Sequence, residues 1–140
     1  MQMSKRREQY VRYFEGQQVG ERVTLVAFSG GRVIGYTNVL WQSAYAHFSE
    51  SGIPEVNDLN VIEPFQNRGV GRALIREAER VAAGRGKLVV GIGVGQTPDY
   101  AAAQHLYPKL GYVPDGHGIH PTQYGDVLYF TKRLGGDAPP

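Results

Sequence analysis

The sequence predicts an α/β domain built on one central sheet whose strands run in mixed directions. Two observations support this prediction. Two apolar runs flank Ser29-Gly30-Gly31, a pattern typical of a β-hairpin. A strand, a helix and a second strand then follow between residues 55 and 94, and such a connection makes the two strands parallel neighbours with a right-handed crossover. One sheet is therefore expected to contain both antiparallel and parallel pairs.

Each further element is predicted from the spacing of apolar residues, with period two for strands and about 3.6 for helices. In chain order we expect a short amphipathic helix at 4–15, strands at 23–28 and 33–41, a polar and aromatic loop at 42–54, a strand at 55–62, a helix at 70–83, a buried strand at 87–94, a helix at 99–110, a glycine-rich loop at 114–125 and a last strand at 126–133.

The bulk composition excludes several classes of protein. The chain has 140 residues, enough for one domain over 1–140 and too few for two of ordinary size. Lys+Arg 15 against Asp+Glu 13 gives a formal charge of +2, so nucleic acid is not an expected partner. There is no cysteine, which excludes disulfides and thiolate chemistry. No apolar run approaches the ~18 residues of a membrane span, and with no signal peptide a cytoplasmic protein is expected.

The segment 66–71, Gln-Asn-Arg-Gly-Val-Gly, leads from the predicted strand into the predicted helix. The first N–H groups of a helix have no internal partner, and together with the helix dipole they favour an anion such as phosphate. Gly69 and Gly71 allow close approach to the backbone, and Arg68 and Arg72 add positive charge. Taken alone, this pattern fits a plain turn as well as a phosphate site.

Two familiar phosphate loops are excluded at this position. A Walker A loop ends in Gly-Lys-Ser/Thr, whereas Gly71 is followed by Arg72-Ala73. A dinucleotide-binding fingerprint has a small residue three positions after its second glycine, whereas Leu74 stands there.

Three blocks together resemble the GNAT superfamily of acyl-CoA-dependent N-acyltransferases. They are the loop 66–71, the strand DLNV at 58–61, and AQHLYPKLGY at 103–112. The resemblance covers about residues 23–133. It implies the GNAT fold, with a mixed central sheet and helices on both faces, and acetyl-CoA as cosubstrate without a metal. In that family the loop holds the pyrophosphate of coenzyme A.

The resemblance also implies where the cofactor lies. Backbone N–H groups near Asn60 are expected to hold the pantetheine arm and the thioester carbonyl, because the strand separates from its neighbour there. Tyr100 stands where many family members have an asparagine that contacts this arm, so that contact departs from the family pattern. The expected cofactor-binding residues are Leu59, Asn60, Val61, Gln66, Asn67, Arg68, Gly69, Val70, Gly71, Arg72 and Tyr100.

Glu55 is the favoured general base for an acceptor amine. A free alkyl amine has a pKa of about 10 and is mostly protonated at neutral pH, so a positioned base accelerates transfer roughly 10²–10⁴-fold. Glu55 lies 11 residues before Gln66, the offset of the glutamate base in the histone-acetyltransferase branch of the family. The alternative is an exposed carboxylate paired with an arginine.

Asp58 is the second candidate for the base, and water is a third. Strict alternation along a strand places Glu55, Leu59 and Val61 on one face and Asp58 with Asn60 on the other. Only one of the two carboxylates is then expected to face a given cleft.

Tyr107 is the favoured acid, because the family's tyrosine at this place lies near the coenzyme sulfur and is thought to protonate the leaving thiolate. A phenol suits this role, since its pKa lies within a few units of a thiol's. The alternative is that Tyr107 only packs its helix onto the sheet.

The front of the chain departs from the family. GNAT proteins usually begin with a strand and two helices, whereas about 22 residues precede Val23 here. The first strand is therefore expected to be short or missing. Residues 23–28 would then form an exposed apolar edge, which predicts a possible homodimer that buries it.

The acceptor is the least specified part of the prediction. In this fold its pocket usually lies between the 33–62 region and the loop before the last strand. The aromatic and imidazole side chains of these segments suit a ring-bearing or apolar amine, although they also fit simple packing of a loop: Trp41, Tyr45, His47, Phe48, His117, His120 and Tyr124. The spacing His117-x-x-His120 lacks a third ligand, so no metal site is predicted.

The predicted function is acetyl transfer from acetyl-CoA to a primary amine of a small molecule or peptide, by direct attack of the amine. The competing class is a domain of the same fold that binds acyl-CoA as a sensor without turnover. Glu55 and Tyr107 are both present, which favours the enzyme.

Overall fold

Seven strands form one mixed sheet in the order β1-β2-β3-β4-β5-β7-β6 in a computed structural model that describes residues 10–15 and 22–135. The strands are β1 (Tyr10–Glu15), β2 (Arg22–Ser29), β3 (Arg32–Leu40), β4 (Glu55–Val61), β5 (Val89–Gly95), β6 (Val113–Thr122) and β7 (Gly125–Arg133). The helices are α1 (Ala46–Ser49), α2 (Val70–Gly84) and α3 (Ala101–Lys109), with 3-10 turns at Glu63–Phe65 and Pro98–Tyr100. Within these described residues, no helix is long and apolar enough to cross a bilayer.

The predicted hairpin and the predicted parallel pair are both confirmed. β2 and β3 are antiparallel neighbours, and their turn uses Gly30 and Gly31 with φ of 58° and 80°, a conformation that glycine adopts without steric cost. β4 and β5 are parallel and joined through α2. The mixed α/β fold expected from the sequence is therefore the one observed.

Helix α2 packs its apolar stripe against β2, β3 and β4. Its buried side chains recur at helical spacing, at Val70, Leu74, Ile75, Ala78 and Ala82. They share a core with alternate residues of the sheet, including Leu25, Val56 and Ile92. We call the opposite side of the sheet the back face. On the back face Phe48 of α1 covers Gly91, whose missing Cβ would clash with its ring.

The N-terminal helix predicted at 4–15 is wrong for the part that the structure describes. Residues 10–15 form β1, which pairs with β2 along its whole length, whereas residues 4–9 lie outside the described part. Of the two expectations for the first strand, short or missing, only the second is wrong: β1 is present, and its six residues make it the shortest of the described strands. Because β1 covers the edge of residues 23–28, the argument for a homodimer through that edge no longer holds.

The glycine-rich loop predicted at 114–125 is also wrong. Residues 113–122 form β6, which pairs with β7 on either side of a wide bulge. Pro114 lies opposite Phe130 and Ile119 opposite Leu128, so four residues of β6 face the single residue Tyr129. The loop predicted at 42–54 likewise contains α1.

Candidate active site

Strands β4 and β5 separate soon after they begin. Their ladder consists of the pairs Glu55–Gly91 and Val56–Ile92, although each strand has seven residues. Further along, β4 keeps β3 on one edge and has no paired strand on the other within the described residues. The cleft between β4 and β5 therefore borders the backbone of residues 59–61, where the family resemblance implies free N–H groups.

The loop from β4 to α2 presents a row of backbone donors next to this cleft. Gln66 Nε2 donates to the carbonyl of Val61 at 2.8 Å, which ties the loop to the end of β4. Asn67 and Gly69 both have positive φ, 62° and 89°. From Asn67 to Arg72, no backbone N–H donates to another residue in the described part of the chain. Such a row at a helix N-terminus is an anion-binding arrangement.

The two glycines of the loop have different roles. Space around the missing Cβ of Gly69 is open to 4 Å, so its positive φ is what favours glycine there. A Cβ on Gly71 would lie 3.7 Å from the side chains of Leu59 and Leu106, so Gly71 is a packing position between α2, β4 and α3. The sequence predicted close backbone approach at both, and only Gly69 leaves room for a ligand.

The positive charges of the loop, on Arg68 and Arg72, are not neutralised by carboxylates of the described residues. Arg68 lies over the ring of Phe65, with its guanidinium carbon 5.0 Å from the centroid, and Arg72 is exposed. Among the described residues, neither guanidinium forms an ion pair with a carboxylate. Both remain able to attract an anion bound at the loop.

Glu55 is a buried carboxylate held by two neutral donors. Its residue is 9% exposed. Ser43 Oγ donates to Oε1 at 2.5 Å, and Asn57 Nδ2 donates to Oε2 at 3.3 Å. No arginine or lysine pairs with it in the part of the chain described here. The alternative interpretation, an exposed carboxylate paired with an arginine, is therefore wrong.

Asp58 forms a β-bulge that changes which residues share a face. Glu55 pairs with Leu40 and Asn60 pairs with Tyr36, and Leu40 and Tyr36 lie on the same side of β3 because they are four residues apart. The odd and even positions of β4 therefore exchange faces across the bulge. Asp58 itself has φ of 64° and accepts hydrogen bonds from Tyr36 Oη at 3.4 Å and Asn60 Nδ2 at 2.9 Å.

The predicted division of β4 into two faces is thus wrong. Leu59 and Val61 point toward Gly71 of α2, whereas Glu55 lies beside Gly91 on the back face. Asp58 and Glu55 share that back face. Alternation alone does not exclude either carboxylate from the cleft.

Tyr107 lies in the core on the α2 side and is 4% exposed. Its ring packs 5.9 Å from that of Tyr112, whose hydroxyl donates to Glu79 of α2 at 2.8 Å. Burial raises the pKa of Tyr107, so the phenol keeps its proton throughout the neutral range. Its hydroxyl forms no hydrogen bond to another described residue. Tyr107 and Glu55 thus lie on opposite sides of the sheet.

Three alternate glycines of β5 are covered by aromatic rings on the back face. A Cβ would clash with Phe48 at Gly91, with Tyr129 at Gly93 and with Tyr100 at Gly95. Tyr100, a predicted cofactor contact, is therefore packed on the end of β5 and remains 47% exposed. The alternating glycines of GIGVG at 91–95 are the sequence signal for this row of rings, since they leave one face of the strand without side chains. From the sequence alone this segment was predicted only to be part of a buried strand.

Tyr45 joins the loop after β3 to β6 and β7. Its ring stacks on Tyr129 at 3.6 Å with an interplanar angle of 6°. Its hydroxyl donates to Asp115 at 2.6 Å and lies 3.3 Å from His120 Nε2. Burial and the hydrogen bond to Asp115 raise the pKa of Tyr45, which keeps the donor protonated.

Five of the seven predicted acceptor-side residues meet in this region. His47 stacks on His117 at 3.5 Å, beside Tyr45, Phe48 and His120. Two others do not: Tyr124 is 85% exposed in the β6–β7 turn, and Trp41 lies under Arg85 at the end of α2. The rings mostly pack against one another, which agrees with the alternative interpretation that these side chains simply pack a loop. Sequence reasoning missed Ser43, Asp115 and Tyr129.

No three His, Cys, Asp or Glu side chains of the described residues are arranged to hold a metal ion. This includes the three histidines near Tyr45.

Known proteins share the family and the fold of this chain. The model of the acetyltransferase (GNAT) family matches residues 2–112, whereas no curated protein sequence matches the chain. An IAA acetyltransferase from Bacillus cereus is 18% identical, with 90% of this chain and 99% of that chain covered and a TM-score of 0.69. A GNAT family acetyltransferase from Elizabethkingia anophelis with acetyl-CoA bound is 15% identical, with 91% and 99% covered and a TM-score of 0.66.

A third solved structure is the PaiA N-acetyltransferase from Thermoplasma acidophilum in complex with coenzyme A. It is 18% identical, with 81% of this chain and 62% of that chain covered and a TM-score of 0.61. At these identities the similarity establishes the fold that the three proteins share with this chain.

Proposed function

The chain belongs to the GNAT acetyltransferase family, and we propose that it transfers the acetyl group of acetyl-CoA to a primary amine of a small molecule or peptide. The amine attacks the thioester directly, without an acyl-enzyme intermediate. The observation that carries this proposal is the row of unpartnered N–H groups from Asn67 to Arg72, at the mouth of the cleft between β4 and β5.

The loop is proposed to hold the pyrophosphate of the cofactor. The row of N–H groups and the N-terminus of α2 supply directed donors, and Arg68 and Arg72 supply charge. The pantetheine arm then enters the cleft and completes the hydrogen bonding of β4 near Leu59 and Val61. The thioester carbonyl accepts hydrogen bonds from the unpaired backbone N–H groups of β4 near Leu59 and Val61, which stabilise the negative charge that develops on its oxygen.

The proton transfers are assigned to Glu55 and Tyr107. Glu55 accepts a proton from the amine, directly or through water, from the back face. Tyr107 donates to the departing thiolate from the α2 side. Burial, which raises the pKa of Tyr107, keeps the phenol in the donating form. Tyr100 is proposed to border the arm at the end of β5.

The homodimer and the cytoplasmic location stay predictions from the sequence. With β1 in place beside β2, a dimer has to use a surface other than the edge first suggested.

Release of free thiol from acetyl-CoA with a panel of small amines and short peptides tests the proposal. We expect thiol release that depends on the amine, with the acetylated amine identified by mass spectrometry. Tyr107→Phe should retain coenzyme A affinity and lose roughly 10²–10⁴-fold in turnover, because only the hydroxyl is removed. Tyr124→Phe is the matched control, since that hydroxyl is on an exposed turn residue.

Two results would contradict the proposal in different ways. Calorimetric binding of acetyl-CoA without thiol release for any amine would identify a sensor. The absence of heat from coenzyme A would remove the cofactor assignment itself.

A further inference from the structure

Tyr129 is held rigidly over the back face of β5. It pairs with Gly93 across the β5–β7 ladder, and a Cβ on Gly93 would lie 2.8 Å from its Cε1 atom. The missing side chain of Gly93 thus lets the ring lie over β5, next to Phe48, which covers Gly91. The stack on Tyr45 fixes the other face of the ring.

The Tyr129 ring and Glu55 are close neighbours on the back face, because Glu55 pairs with Gly91 and Phe48, which covers Gly91, lies 5.4 Å from the Tyr129 ring. Burial and the charges of Glu55 and Asp115 raise the pKa of Tyr129. Both carboxylates are already fixed by other groups, Glu55 by Ser43 and Asp115 by Tyr45. The Tyr129 hydroxyl itself forms no hydrogen bond within the described residues.

Among the described residues, no lysine, arginine or histidine forms an ion pair with either of these two carboxylates. The ion pairs of the described residues are Arg80 with Glu77, within α2, and Lys132 of β7 with Glu79 of α2. A partly buried carboxylate without a cationic partner is electrostatically costly, and a bound cation relieves that cost.

We propose that Tyr129 is a specificity-determining residue that, together with Glu55, receives the amino group of the acceptor in its protonated, ammonium form. This inference rests on the proposed function and deepens it. An ammonium has three donors. One fits Glu55 and one fits the phenolic oxygen of Tyr129, which leaves the third toward the cleft.

The proton and electron balance agrees with this arrangement. The ammonium gives one proton to Glu55, and the freed lone pair forms the N–C bond as the C–S bond breaks. The second nitrogen proton leaves as the amide forms, and the thiolate gains one from Tyr107, which is reprotonated from solvent. One ammonium and one thioester thus yield one amide, one thiol and one proton.

A tyrosine-specific NMR experiment tests binding without turnover. The protein is labelled with ¹³C at the tyrosine Cζ atoms and saturated with coenzyme A, and the Tyr129 signal is assigned by its loss in Tyr129→Phe. Butylamine, protonated at pH 7, should shift the Tyr129 signal and leave that of Tyr124 in place. The neutral probe 1-butanol should not shift it, and Glu55→Gln should abolish the response to butylamine.

The kinetic test uses whichever amine gives the most thiol release in the panel of small amines and short peptides described above. Tyr129→Phe retains the stacked ring, so we expect a three- to tenfold rise in the KM for the amine and an unchanged KM for acetyl-CoA. A Tyr129 signal that stays fixed with butylamine, or that shifts equally with 1-butanol, overturns the inference, as does an unchanged amine KM. A butylamine shift without any thiol release contradicts only the proposed transfer reaction.

Discussion

Glu55 is the residue whose environment most constrains the chemistry. A carboxylate that is nine-tenths buried is expected to have a cation or several donors beside it, and within the described part of the chain Glu55 has only the neutral donors of Ser43 and Asn57. Glu55→Gln keeps the size and the Asn57 side of this arrangement. We expect turnover to fall about 10²–10⁴-fold, while coenzyme A affinity changes little, because the loop that binds the cofactor is not touched.

The pH dependence of the rate separates a base from a structural carboxylate. In the wild-type protein the rate should fall on the acidic side as the base becomes protonated, and Glu55→Gln should remove that dependence. Asp58→Asn is the matched comparison, since it also neutralises a back-face carboxylate. If Asp58→Asn has the larger effect, or if Glu55→Gln retains the wild-type pH profile, the base is not Glu55.

Single residues were predictable where a motif or an offset specified them. Glu55 was selected from its position 11 residues before Gln66; the structure shows that it is buried, and its catalytic role stays a prediction. The bulge at Asp58 was not predictable, because nothing in EVNDLNV marks the one position that adopts positive φ. Ser43 and Tyr129 were missed for a different reason, since their importance arises from contacts between residues 12 or more positions apart.

At the scale of elements, local signals predicted α2 and failed for two strands. The apolar spacing of α2 and the glycines at its ends are local signals, because both can be recognised within one short stretch of the sequence. β6 contains Pro114, Gly116, Gly118 and Pro121, residues that disfavour strands, and only its pairing with β7 makes it one. The six residues of β1 are too few to distinguish a period of two from one of 3.6.

The loop before α2 allows a test that separates backbone strain from ligand binding. Gly69 and Gly30 both have positive φ, and both have open space around the missing Cβ. Gly69→Ala and Gly30→Ala should therefore cost similar stability, roughly 1–2 kcal/mol. Only Gly69→Ala should weaken coenzyme A binding, by about tenfold or more in calorimetry, because it turns N–H groups of the loop away from the pyrophosphate. Equal coenzyme A affinity in the two variants would contradict a phosphate role for the loop.

At the scale of the whole molecule, the sheet has two parts, β1–β4 and β5–β7–β6, which share a ladder of two residue pairs. Helix α2 holds them together from one side. It packs against β2, β3 and β4, while its Glu79 accepts hydrogen bonds from Lys132 of β7 at 3.1 Å and from Tyr112. This division was not visible in the sequence, since strand order depends on pairings distant along the chain.

A ligand in the cleft between the two parts should therefore stabilise the molecule as a unit. Coenzyme A at about 100 times its Kd adds roughly 2.7 kcal/mol to the free energy of unfolding, provided that it binds the folded state alone. We expect calorimetry to show one transition that moves to higher temperature with coenzyme A concentration. For Gly69→Ala the same shift should require a higher concentration. A second transition that stays at constant temperature as coenzyme A is added would mean that the two parts unfold separately and that α2 does not couple them.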